Sequence, residues 1–135
     1  MILFGHPDVK SISFYRITDV DAITQTPANA TLFFNYNTQL AHYCHENSLS
    51  FAIYVKELKE LILAHAMGAT YLVVDKNLAV NAQKIATEYL FDAKILLLSE
   101  NNDEDIEFAA LNGIDGILFT RAICEKLPFI RQYDV

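Results

Sequence analysis

The chain has 135 residues and a formal charge of -7, with 53% hydrophobic and 20% charged residues. That length suits one domain, able to bury roughly two-thirds of its unfolded surface in a core. Its ten Lys and Arg are dispersed rather than clustered, which argues against binding nucleic acid or an anionic membrane surface.

Residues 1–30 differ in pattern from the rest of the chain. Ile2-Leu3-Phe4 and the stretch 11–17 flank Gly5-His6-Pro7-Asp8, a turn-forming cluster, and predict a β-hairpin or two edge strands. The start of the chain has no basic region and too short an apolar run for an export signal, so a cytoplasmic protein is expected. Cys44 and Cys124 then read as reduced thiols. Residues 19–24 predict a short helix capped by Thr18 or Asp19 and stopped before Pro27.

From residue 31 a single unit repeats. Apolar runs at 31–35, 51–55, 71–75, 94–99 and 116–120 alternate with amphipathic stretches at 38–47, 57–67, 77–91 and 103–112. The runs suit parallel strands buried on both faces, each joined to the next by one crossover helix. Leu58, Leu61, Ile62 and His65 share one helical stripe, and Leu78, Ala82, Ile85 and Tyr89 another. Leu63, Met67, Val80, Phe91 and Phe108 point away from these stripes, to be covered by neighbouring helices or the N-terminal extension, or to form a protein interface. The expected fold is a single α/β domain over 1–135. It combines an N-terminal extension (1–30) with a three-layer, doubly wound sheet of five parallel strands (31–128). Gly-Ile-Asp-Gly-like turns also occur in (β/α) barrels, but five repeats do not close an eight-stranded barrel, which favours the open sheet.

In parallel sheets ligands bind at the carboxyl ends of the strands. Those ends carry Asn35 with Asn37, Lys56, Asp75, Ser99 and Arg121. There Asp75 would act as a base or metal ligand, and Lys56 and Arg121 would hold an anionic group. Asn37, Asp75 and either Asn101 or Asn102 also suit helix N-caps. His42, His45 and Glu46 share the solvent side of the first helix of the repeat at spacings that allow zinc binding. His6-Pro7-Asp8 can supply an acid–base pair or simply a turn. No glycine lies between a strand and the next helix, so nucleotide cofactors are not expected, and no other cofactor is implied.

The stretches 93–106 and 109–118 resemble the later half of a response-regulator receiver domain. There an apolar strand ending in a hydroxyl residue is followed by an acidic helix start, then by a small-residue helix and a Gly-Ile-Asp-Gly turn. The resemblance implies strand order 2-1-3-4-5, with Asp75 at the phospho-acceptor position, Ser99 at the switch hydroxyl and Arg121 near the lysine. Asn35, Tyr36 and Asn37 stand where receivers hold Mg²⁺ with an acidic pair, so it implies a degenerate receiver without phosphotransfer. The function expected from this is a non-catalytic regulatory or adaptor module with a further protein partner, and the outward apolar side chains of the helices predict a homodimer. The alternative is a small-ligand-binding protein or small enzyme using the strand-end residues.

Overall fold

The computed structural model describes residues 1–125. Residues 126–128 of the predicted core lie outside the described residues. In chain order the elements are β1 (Ile2–Phe4), β2 (Phe14–Arg16), β3 (Thr31–Asn35), α1 (Thr38–Glu46), β4 (Phe51–Tyr54), α2 (Leu58–Ala66), β5 (Tyr71–Val74), α3 (Lys76–Glu88), β6 (Lys94–Ser99), α4 (Glu104–Leu111), β7 (Gly116–Phe119) and β8 (Ile123–Cys124). The repeat is therefore present where the apolar rhythm places it. None of these helices is long and apolar enough to cross a membrane.

The winding differs from expectation. All eight strands belong to one sheet in the order β1-β7-β6-β5-β4-β3-β2-β8, and every pairing is parallel. The doubly wound sheet of five strands in order 2-1-3-4-5 is thus replaced by strands that follow one another in sequence. Right-handed crossovers that always step the same way place every helix on the same face. One core accordingly joins the helices to outward strand residues such as Leu32, Ile53, Leu72, Ile95 and Ile117. A second core consists of Phe4, Phe14, Phe33, Ala52, Val73, Leu96, Leu118 and Ala122 and includes no residue of the four α-helices.

Curling covers the second face. Six strand steps separate β1 from β2, about 29 Å in a flat sheet. Yet the rings of Phe4 and Phe14 lie 5.0 Å apart, centroid to centroid, and both meet Tyr71 at 5.4 Å. The sheet is a curled half-barrel whose inner side chains pack on one another. Its edges also approach at Gly5, where a Cβ would lie 2.9 Å from the Ala122 nitrogen. The predicted N-terminal hairpin is absent for the same reason. β1 and β2 run in the same direction on opposite sides of the sheet, so residues 5–13 connect them without pairing them.

The Gly113-Ile-Asp-Gly116 turn has a structural explanation. Asp115 Oδ2 accepts from the Ile95 N–H at 2.9 Å, while Gln83 on α3 accepts from the Asp115 N–H at 2.9 Å. Gly116 lets β1 approach, because a Cβ there would fall 2.5 Å from the Ile2 carbonyl. The helix stripes also need correction. Ile62 and Tyr89, predicted for the core, are 48% and 72% exposed, beside Leu63 at 44%. Met67, Phe91 and Phe108 are covered, packing partly against the core, whereas Leu63 and Val80 stay exposed.

Candidate functional site

Parallel strands bring their carboxyl ends to one rim, and side-chain alternation decides which residues face inwards there. Two residues beyond inward-facing Phe14, Phe33, Ala52, Val73 and Leu96 stand Arg16, Asn35, Tyr54, Asp75 and Leu98. Four of these five are polar, on a sheet whose interior is otherwise apolar. A groove of about 210 Å³ reaches Arg16 and Asn35 at the β2–β3 end of this rim, lined also by Ile17, Phe34, Asn37 and Leu40.

The contacts tie this rim together. The Arg16 guanidinium carbon sits 4.8 Å above the Phe33 ring, and its Nε donates to Glu125 Oε1 at 2.9 Å. Its two terminal amino groups are used by no hydrogen bond among the described residues. The Tyr54 hydroxyl donates to Asp75 Oδ2. The Lys56 ammonium lies 5.9 Å from the Tyr54 ring centroid. A carboxylate–phenol pair therefore shares the rim with two cations.

Burial, and then the hydrogen bond and negative charge of Asp75, push the Tyr54 phenol up to about 12, against an opposing effect of Arg16. A raised folded-state value favours neutral tyrosine in the native state. That contribution is complete below the ordinary value of 10.0 and is lost as pH rises from there through about 12. Absorbance titration should therefore show late-ionising tyrosine, part of which disappears in Tyr54→Phe. Tyr71, raised by burial among the inner rings, should account for the rest.

Asp75 stands at the N-cap position of α3 but makes no capping bond. Asn37 does cap α1, accepting from the Leu40 N–H at 3.0 Å. Capping therefore accounts for Asn37 and not for Asp75. Urea denaturation should show Asn37→Ala costing about 1 kcal/mol, and Asp75→Ala within about 0.5 kcal/mol of the parent.

The six predicted strand-end residues thus divide. Asn35, Lys56 and Asp75 gather at the inner rim. Asn37 caps a helix at its border. Ser99 is 1% exposed on the helix-facing side, its Oγ accepting from the Asn102 N–H at 3.2 Å. Arg121 lies in the turn Thr120–Ala122 between β7 and β8. Its N–H donates to Asn101 Oδ1 at 3.2 Å and its Nη1 to the Gly5 carbonyl at 3.4 Å. Asn101 is accordingly no cap, whereas Asn102 Oδ1 accepts from the Glu104 N–H at the start of α4 at 3.0 Å. Arg16 and Tyr54 belong to the site and were missed as candidates, although each stands two residues beyond an inward-facing position.

The other candidates lie elsewhere. His42, His45 and Glu46 are exposed on α1, and no group of three or more His, Cys, Asp or Glu among the described residues is arranged to hold a metal ion. The His45 ring packs against Gly68 instead. His6 accepts from the Asp8 N–H at 3.1 Å through Nδ1, and its Nε2 lies 3.2 Å from Asp103. It fastens the end of β1 to the start of α4. No protein-family model matches the chain, and no curated protein matches it.

Proposed function

We propose that this protein binds a small anionic molecule at the carboxyl ends of its parallel strands. The observation that carries this is the Tyr54–Asp75 pair on the same rim as Arg16 and Lys56, with Asp75 left out of helix capping. Arg16 supplies a planar fork suited to a phosphate or carboxylate, held in place by Phe33 and Glu125. Lys56 supplies a second, mobile charge. Tyr54 and Asp75 give the rim a donor–acceptor pair able to orient a ligand or exchange a proton with it.

The test is thermal unfolding in inorganic phosphate against sodium chloride of equal ionic strength. A ligand present at ten times its Kd stabilises by about 1.4 kcal/mol. Phosphate should raise the midpoint of the parent protein, and Arg16→Gln combined with Lys56→Gln should abolish the rise. Equal midpoints in the two salts would refute the reading.

A second reading is the regulatory or adaptor role that the receiver-like resemblance implies, in the cytoplasm and as a homodimer. Exposed Ile62, Leu63 and Tyr89 favour it, with Leu90 at 84% exposure and held at φ 54. They border an apolar groove between α2 and α3 lined by Ile62, His65, Ile85, Tyr89 and Phe91. Light scattering of the parent and of Leu90→Asn would report a dimer and its loss. A monomer at high concentration would reject the homodimer.

A further inference from the structure

We infer, resting on the homodimer reading above, that two copies of this chain join about a twofold axis, with Leu90 of each seated in the groove between α2 and α3 of the other.

The helix ends single out Leu90. All four α-helices close in the same way, on a left-handed residue followed by an apolar one whose N–H returns to a carbonyl five residues back. The four bonds are Leu49 to Cys44, Ala69 to Ala64, Phe91 to Ala86 and Ile114 to Ala109, at 2.9–3.2 Å. The left-handed residues are Ser48 at φ 55, Gly68 at φ 96, Leu90 at φ 54 and Gly113 at φ 66. Three of the four are small. A leucine gives up stability at such a position, where glycine has no Cβ to clash. Burial among the described residues does not offset that cost, because Leu90 is 84% exposed.

The receiving surface lies beside it. A groove of about 490 Å³ is lined by Ile62, His65, Ile85, Tyr89 and Phe91, and two of these rings, His65 and Phe91, stack at 3.8 Å. Leu90 stands between the last two of those residues in the chain, so knob and groove share one patch. A second copy turned through 180° uses both at once, and the assembly closes at two. Knob and groove on distant surfaces would instead build an open chain of copies. A small apolar molecule would fill the groove and leave Leu90 in water. Area agrees as well. From their exposures, Ile62, Leu63, Tyr89 and Leu90 present on the order of 500 Å² of surface, close to the apolar share of one side of a standard interface.

Sedimentation velocity on the 135-residue chain tests this with two variants. Leu90→Gly removes the knob, and Ile62→Glu puts a charge in the groove at a residue already 48% exposed. The parent should sediment as a dimer, and each variant should dissociate roughly thirtyfold more readily, as for loss of a central anchor. Circular dichroism should show both variants folded. Leu90→Gly should melt no lower than the parent where both are monomers, because glycine suits the left-handed position. Mixing the variants then reports the seating itself. A mixed dimer keeps one intact contact, Leu90 of the Ile62→Glu chain in the groove of the Leu90→Gly chain. Dimer should therefore return at concentrations where neither variant alone forms it. Mixing that restores nothing, or a parent dimer that both substitutions leave intact, would overturn the inference and leave the homodimer standing. A parent that stays monomeric at high concentration would remove the homodimer and the inference together.

Discussion

Phe14→Ala is expected to lower stability by about 3–5 kcal/mol in urea denaturation, the usual cost of emptying a core site of its aromatic ring. In a flat sheet Phe14 would stand near an edge, with few neighbours on its inner side. In the curled sheet it is fully buried and packs against Phe4 and Tyr71, which come from the far edge and the middle of the sheet. A double-mutant cycle with Phe4→Ala should give a coupling of about 0.5–1.5 kcal/mol, as expected for rings in edge-to-face contact. A cost near 1 kcal/mol with no coupling would mean that the two edges do not meet.

Gly5→Ala should be comparably damaging, by roughly 2–6 kcal/mol. Two costs add. The residue sits at φ +92, a conformation side chains rarely adopt, worth about 1–3 kcal/mol. Its Cβ would also lie 2.9 Å from the Ala122 nitrogen and 3.2 Å from the Phe119 Cβ, and overpacking costs a further 1–3 kcal/mol or so. Gly113→Ala separates the two effects. Gly113 has φ +66 but nothing within 4 Å of an added Cβ, so it should lose only about 1 kcal/mol. Equal losses at the two glycines would show that the approach of β1 to the turn before β8 contributes nothing.

The elements of the repeat were readable because buried strands and amphipathic helices impose different periods on the chain. Strand order was not. Phe33, Ala52, Val73, Leu96 and Leu118 must be apolar whether a second layer of helices or the opposite side of a curl covers them. Local pattern therefore does not say whether the winding reverses. The N-terminal strands were misplaced because Gly5-His6-Pro7-Asp8 does form a turn, closed by the Val9 N–H to the His6 carbonyl at 3.1 Å. A turn, however, does not require the strands beside it to pair.

The site was partly readable for a related reason. Position at a strand end selects residues by height alone, which is why Ser99 entered the candidate set. Alternation selects the side they face, and within Leu96-Leu97-Leu98-Ser99 three consecutive leucines conceal it. Arg16 was hidden by the hairpin assignment, and Tyr54 by lying one residue inside its apolar run. Once the strands are known to be parallel, the two-residue step from Phe14 to Arg16 and from Ala52 to Tyr54 identifies both.

The most direct test of the rim as the working site is a two-dimensional amide NMR titration with glycerol 3-phosphate. The largest shift changes should fall on Arg16, Asn35, Tyr54, Lys56 and Asp75, at the ends of β2 to β5. Changes concentrated on α2 and α3, or no changes at these five positions at saturating ligand, would contradict it.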